Sequence, residues 1–438
     1  MLMKRFLTFA FPILLTMTAG AQTKNLVDQQ TDSLIASHKI INIDRDGSEN
    51  NPGYSDSIKS LIENFYYDQF RHFQDPAAPY FLFLSHDASL AMGIGGAVRM
   101  RAYFDWNGAI PSPGFAPYLI PMHPDPAKMR NFDTTPAGTC LFFRVIGRNK
   151  KLGHYQLYIE ANFNGYEARD FHLKKAYAII NDFTIGYASS TYSDPAALPP
   201  TVDAQGPSNK LSHTAVLVRY MPRIKKNWVA AVSLETPSTS INYSDSTEKV
   251  NTWIPDAAAF LQYEWDRTSH VRFSGIVRSL PYRDMPEGRN HNKIGWGIML
   301  SSVAHPTDRI TTYATLNYGR GYASLGGDLL IGNYDLIPNP GKAGKLYTPA
   351  SYGWCLGIQY NFRPNIFVST SLSQTRFLPK GPVDPEEYRY GMTGNVNIFW
   401  NMTPRMQLGA EYDYGCRRNF SGERRWAQRI GAVAQFSF

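Results

Sequence analysis

From Met92 to its last residue the chain sets hydrophobic and polar side chains at alternate positions. In Met92–Trp106, Val98, Met100, Ala102, Phe104 and Trp106 share one parity, while Arg99, Arg101, Tyr103 and Asp105 share the other. Thr139–Arg148 sets Leu141, Phe143 and Val145 against Arg144 and Arg148. Tyr155–Asn164 sets Tyr155, Leu157, Ile159, Ala161 and Phe163 against Gln156, Tyr158, Glu160, Asn162 and Asn164. Neighbouring side chains of a strand point to opposite faces, so these segments are strands with one apolar and one wet face. Alternating runs of about ten residues joined by turns are the mark of strands that cross a bilayer.

Such segments fall at 92–106, 138–148, 154–164, 170–180, 182–191, 211–221, 228–236, 254–265, 270–280, 292–303, 308–320, 352–361, 365–376, 387–400, 405–417 and 424–438. They make an even set, as single-chain bacterial barrels require. The connections 107–137, 192–210, 237–253, 281–291 and 321–351 are long; 149–153, 222–227, 266–269, 304–307, 362–364 and 401–404 are short. Short periplasmic turns and long outer loops give this alternation when both termini are periplasmic, and the short connection at 165–169 departs from it. Trp106, Tyr155, Trp228, Trp265, Trp354 and Trp400 fall near strand ends, where an amphipathic ring meets the membrane interface. An open sheet edge in lipid would leave backbone groups unpaired, so the sheet must close. The expectation is an all-β fold: a transmembrane antiparallel β-barrel of about sixteen strands over residues 80–438, in the outer membrane of a Gram-negative cell. The last segment puts Trp426, Ile430, Ala432, Ala434, Phe436 and Phe438 on one parity. A terminal Phe438 resembles the signal read by the barrel assembly machinery, and lipids and lipopolysaccharide are the expected surroundings.

The first residues read differently. Lys4 and Arg5, the apolar run Phe6–Thr18 and Ala19-Gly20-Ala21 form a secretory signal over 1–21, with no Cys after it to carry a lipid anchor. Residues 22–79 are expected to be a periplasmic tether and one amphipathic helix at 55–73, in which Ile58, Leu61, Ile62, Phe65 and Phe73 recur near helical spacing before Asp75-Pro76. Beyond the signal no apolar run approaches the ~18–20 residues of a spanning helix.

Composition narrows the chemistry. The 438 residues are 43% hydrophobic, which excludes a largely disordered chain, and 14% aromatic at a mean hydropathy of −0.33. Forty-four Lys and Arg against 36 Asp and Glu give +8, and no basic run or helix implies nucleic acid. Cys140, Cys355 and Cys416 are too scattered for a disulfide framework or a metal site. Nucleophile-elbow, zincin, Walker and paired-cysteine motifs are missing, and Gly93-x-Gly95-Gly96 lies inside a strand rather than before a helix. The reading is therefore of a protein without catalytic site, cofactor or metal, and His172, His213 and His270 are read as lumen-facing rather than as ligands.

The wet parity carries the candidate site. It holds Arg99, Arg101, Arg144, Lys174, Arg219, Arg272, Arg278, Arg417 and Arg429, with Glu160, Glu235, Asp256, Glu411 and Asp413 on other strands. Asp203 joins them if the third outer loop folds inward; Gly206-Pro207 would fix that loop in one bend. Opposed rows of guanidinium and carboxylate groups set a transverse field that sorts solutes by charge without holding them. The expected constriction places this loop against Arg99, Arg101, Arg144 and Arg219, favouring small anions. Two alternatives stand beside a diffusion pore: an enzyme (a lipase or protease) built on a barrel wall, and a plugged structural or adhesive barrel.

Several segments, in order, are similar to the DcaP-like trimeric outer-membrane porins. They are Gly93-Ile-Gly-Gly-Ala-Val-Arg99, Thr201-Val-Asp-Ala-Gln-Gly-Pro207, Arg219-Tyr220, Glu235-Thr-Pro237, Tyr318-Gly-Arg-Gly321 and Glu411-Tyr-Asp-Tyr-Gly415. The resemblance covers about residues 90–438 and implies a sixteen-stranded homotrimer that passes small anions such as dicarboxylates. The chain departs from the family at its N-terminus, where a short aromatic-rich helix stands in place of a heptad coiled coil.

Overall fold

A computed structural model of the chain describes residues 39–42, 81–85, 90–108, 110, 112–149, 151, 153–164, 170–266 and 268–438. The signal at 1–21, the helix expected at 55–73 and the connection 165–169 lie outside the described residues.

Sixteen antiparallel strands form the wall: β1 Leu90–Trp106, β2 Cys140–Asn149, β3 Gly153–Asn164, β4 Asp170–Ile180, β5 Phe183–Ser189, β6 Thr214–Tyr220, β7 Trp228–Glu235 and β8 Asp256–Glu264, then β9 His270–Asp284, β10 Arg289–Thr307, β11 Ile310–Arg320, β12 Ala350–Arg363, β13 Ile366–Leu378, β14 Tyr388–Thr403, β15 Met406–Asn419 and β16 Arg424–Ser437. Each pairs with its neighbour in sequence, and β16 returns to β1, with Gln428 opposite Trp106 and Ser437 opposite Ala97. Phe438 ends the seam by exchanging both backbone hydrogen bonds with Gly96, at 2.8 and 2.9 Å. Gly96 is needed there, since a Cβ would lie 2.4 Å from the Cys140 carbonyl and 2.9 Å from the Phe438 ring.

All sixteen expected segments are strands. Differences arise where the alternation fades. Asn131–Thr135, inside the first long connection, pairs with the outer half of β1, because β2 starts too low to cover it. Phe81–Leu84 pairs with Ala91–Ile94 below the seam, and Lys39–Asn42 lies parallel to it. That strand falls within the stretch read as a tether; Ile40-Ile41 supplies its β-branched pair. The turn after β10 is Asp308-Arg309 rather than 304–307, since the strand continues through Thr307.

The two parities separate as the sequence requires. Phe104, Ile159 and Ile430 are 39, 51 and 53% exposed on the outer face, whereas their neighbours on the other parity, Asp105, Glu160 and Arg429, are buried inside. Cys140, Cys355 and Cys416 are buried and free. Along β16, Trp426 to Phe436 runs roughly 33 Å, which at a strand tilt of about 40° is roughly 25 Å of height, that of a barrel's apolar band. Ala432, near the middle, should lie near the bilayer midplane. Ala432→Arg should cost roughly 2–4 kcal/mol of unfolding free energy in lipid. Equal unfolding free energies for variant and parent would refute the outward assignment.

Candidate functional site: the lumen and the loop across it

The loop between β5 and β6, residues 190–213, folds into the barrel and lies along the inner faces of β7 to β16. Carboxylates on the wall catch its backbone. Glu235 Oε1 accepts from Thr191 N–H (2.8 Å) and Ser233 Oγ–H (2.7 Å). Glu411 accepts from Val202 N–H at 3.0 Å and Asp203 N–H at 2.6 Å, and from the Asn397 amide at 2.8 Å. Between these clamps lies a carpet of small neutral polar residues. Ser369 and Asn397 donate to the Pro200 carbonyl at 3.0 and 2.9 Å. Ser208 N–H reaches Ser373 Oγ at 2.9 Å, and the Asn209 amide reaches Thr315 Oγ1 at 2.9 Å. Inward glycines make room for the loop: a Cβ on Gly353 would stand 2.6 Å from that of Asn209, and one on Gly357 2.8 Å from that of Pro199. The bend expected at Gly206-Pro207 is present, with Gly206 at φ +67°.

Charge pairs fix the loop near its start and at its tip. Asp194 is buried and accepts from Ser301 Oγ (2.5 Å), with His270 Nε2 at 2.9 Å and Arg272 Nη1 at 3.6 Å. Burial alone would raise its carboxyl; Arg272 and His270 beside it, with the hydrogen bonds from His270 and Ser301, hold it well below the usual range. Arg429 donates to both oxygens of Asp105 (2.6 and 2.9 Å), to Asp203 Oδ2 (3.1 Å) and to the Pro113 and Ser112 carbonyls, at 2.9 Å each. It thereby ties β16 to β1, to this loop and to the first outer loop. Arg278 does the same for two other loops: beside Asp256 on β8 (2.9 Å) it binds Asp335 (3.2 Å) and the Gly321 carbonyl (3.2 Å) in 321–349, and it donates to the Ser238 carbonyl in 236–255. Arg417 donates to the Tyr118 carbonyl at 2.6 Å.

The expected inward set therefore divides. Arg272, Arg278 and Arg429 point inward, yet they lie beneath loops with relative exposures of 0, 2 and 1%. Their donors are spent on loop carboxylates and carbonyls and on Asp105, Asp256 and Gln262 of the neighbouring wall. Asp256 and Glu235 are buried with them, and Asp413 is buried directly opposite Arg429 in the ladder. Arg219 is buried as well and donates to the Ser189 carbonyl (3.2 Å) at the base of the loop, not across from its tip.

Arg99, Arg101, Arg144 and Lys174 stand instead on β1, β2 and β4, the wall left uncovered by the loop. Arg99 and Arg101 are half-buried: Arg99 Nε donates to Gln435 (2.6 Å) and Arg101 to the Ala137 carbonyl (3.2 Å). Arg144 stacks on Tyr158 at 4.7 Å and, at 2% exposure, is as buried as Arg278. Lys174 pairs with Glu160 at 2.8 Å, its side chain 45% exposed. Strict alternation sends Lys175 outward, but a bulge opposite Glu160/Ala161 leaves it buried opposite Glu160. On the loop side, burial pulls the Lys210 ammonium down, with Asp203 opposing this and Arg101 and Lys174 adding to it.

The mouth is built from further loops that sequence periodicity does not reach. Ile110, Phe115 and Ile120 cluster with Ala427, and Tyr118 lies against Tyr334 and Tyr388. The short helix Asp328–Ile331 rests on the crossing loop through Asp328 N–H to the Ser208 carbonyl (3.0 Å).

No family model matches the sequence, and no curated protein is similar to it. Among solved structures it is similar to the outer membrane channel DcaP of Acinetobacter baumannii, with a TM-score of 0.68 at 18% identity over 80% of this chain and 98% of that one. The chain has the DcaP fold. OmpT, an outer membrane protein of Vibrio cholerae, is more distant: its trimer form gives a TM-score of 0.50 at 9% identity, over 80% of this chain and 100% of that one. A closed barrel with this fold and an apolar outer belt is an outer-membrane protein.

One buried loop group gives a pH test. The Asp328 carboxyl accepts from Tyr388 Oη–H at 2.8 Å, and burial pushes it up to about 7. A raised carboxyl favours the folded state while protonated. Its contribution is full below the ordinary carboxylate range near ~4 and is lost as pH rises through about 7. Asp328→Asn should therefore gain on the parent between pH 5 and pH 8, read as unfolding midpoint in detergent. A constant difference between the two would contradict the placement.

Proposed function

We propose that the chain is a porin: a passive channel for small hydrophilic solutes, selective for small anions such as dicarboxylates, and assembled as a homotrimer. The observation that carries this reading is the uneven lining. The loops cover β7 to β16 and pair most of the inward charges there, while Arg99, Arg101 and Lys174 remain partly exposed on the facing wall, with the buried Arg144 among them. A solute passing there meets a basic wall whose planar forks suit carboxylates. The DcaP likeness supports a channel in outline, and the trimer form of Vibrio cholerae OmpT supports the assembly. Arg272, Arg278 and Arg429 hold the loops that shape the passage rather than touching the solute.

The mouth loops also favour a second reading, a barrel closed by its own loops. Planar-bilayer recording separates the two, since a plugged barrel gives no conductance steps. For the porin, reversal potentials in a KCl gradient should show chloride more permeant than potassium. The preference should fade with added salt, because the field is screened within about 10 Å at 0.1 M. Arg99→Ala with Arg101→Ala should move the reversal potential toward cations. Cation preference in the parent, or an unmoved potential in the variant, would overturn the anion assignment.

A further inference from the structure

Outside the barrel, at its loop end, one row of the ladder is unlike the rest. Arg376 on β13 stands opposite Tyr390 on β14, Tyr390 opposite Arg418 on β15, and Arg418 opposite Arg424 on β16. All four share parity with the exposed outer residues Leu372, Val396, Tyr414 and Trp426. Arg376 and Arg418 flank the Tyr390 ring at 5.9 and 6.0 Å, and the Nε of each is buried with no hydrogen-bond partner. Among the described residues no acid side chain pairs with any of these three arginines.

The row one step inward shows how this chain satisfies such charges elsewhere. Arg417 and Arg425 are also directly opposed, yet Arg417 donates to the Tyr118 carbonyl (2.6 Å) and Arg425 to the Met122 carbonyl (2.8 Å) and lies 3.6 Å from Glu423. Like charges opposed across a ladder repel. The outer pair, lacking acceptors, calls for an anion from outside the chain.

The surroundings say what kind of anion. The row lies just beyond aromatic residues of the outer girdle, Tyr414 stacked on Trp426 at 4.9 Å, which is the level of lipid headgroups. Below it on the same strands runs a shallow groove of about 480 Å³ between Leu356, Ile358, Leu372, Val396, Tyr412 and Tyr414, kept open by Gly394. A ligand that fits both needs an anionic head above an apolar tail. Guanidinium forks match phosphate oxygens two by two. We propose that Arg376, Arg418 and Arg424 bind the phosphate of a phosphorylated glycolipid of the lipid A type, one acyl chain of which lies in the groove over β12–β15.

The test is thermal unfolding of the purified full chain in detergent, titrated with phosphorylated lipid A, with the same lipid dephosphorylated, and with inorganic phosphate. Phosphorylated lipid A should raise the midpoint, the dephosphorylated form much less, and inorganic phosphate at equal concentration not at all. Arg376→Gln/Arg418→Gln/Arg424→Gln should weaken the lipid response at least tenfold. Gly394→Leu fills the groove and should weaken it too, which keeps the test open if the triple variant folds poorly. An equal response to inorganic phosphate would make this a free-anion site and overturn the lipid assignment. An unaltered response in both variants would do the same. So would a Gly394→Leu protein that changes its oligomeric state while still responding to lipid, because the groove would then belong to a subunit contact.

Discussion

A backbone amide left open in hydrocarbon costs several kcal/mol, and a sheet edge presents a whole row of them. The pairing of β16 with β1 removes that row, so every other feature of the molecule depends on it. It dictates an even number of antiparallel strands and termini at one end. It also explains the last residue: Phe438 completes the seam against Gly96, where a larger residue would strike both the ring and a neighbouring carbonyl. Below that point Phe81–Leu84 takes over the pairing of β1, so the exposed edge is covered beyond the reach of β16.

Closure creates an interior that a sixteen-stranded wall cannot fill with its own side chains. The chain fills it with loops, and holds them in an unusual currency. Backbone amides of 190–213 donate to wall carboxylates, and guanidinium groups gather carbonyls and acids from several loops at once. Desolvating such charges offsets much of what their pairing contributes, so net stability is not what they chiefly provide. Breaking one partner, however, strands a buried charge. The arrangement gives each loop one position and makes alternatives expensive, which a passage of fixed charge and width requires.

The wall was legible because two solvents impose a period of two, and that period survives in residues such as Val98/Arg99 and Ile159/Glu160. The inward direction of Arg99, Arg101, Arg144 and Lys174 follows from the same period. What each inward charge touches does not follow. Asp194 and Asp335, which neutralise Arg272 and Arg278, sit in loops with no periodic signal. Lys175 was hidden by a bulge that shifts the alternation by one residue. A trace of the loop seat was present, in the small neutral series Ser369, Ser371, Ser373 and in Gly353 and Gly357, but reading it requires knowing what lies opposite.

The crossing loop also bears on how the barrel is made. Its tip at Val202–Asp203 is bound by Glu411, 208 to 209 residues later in the chain, and Pro200 by Ser369 and Asn397. Contacts so distant in sequence form late and slowly. The loop is synthesised long before the strands that receive it, and once β16 has met β1 the wall offers it no side entrance. Its seat is complete only once β13 to β15 are in place, so the docking of the loop and the closing of the sheet are coupled. The loop is then less a gate added to a finished barrel than a partner in closing its last third.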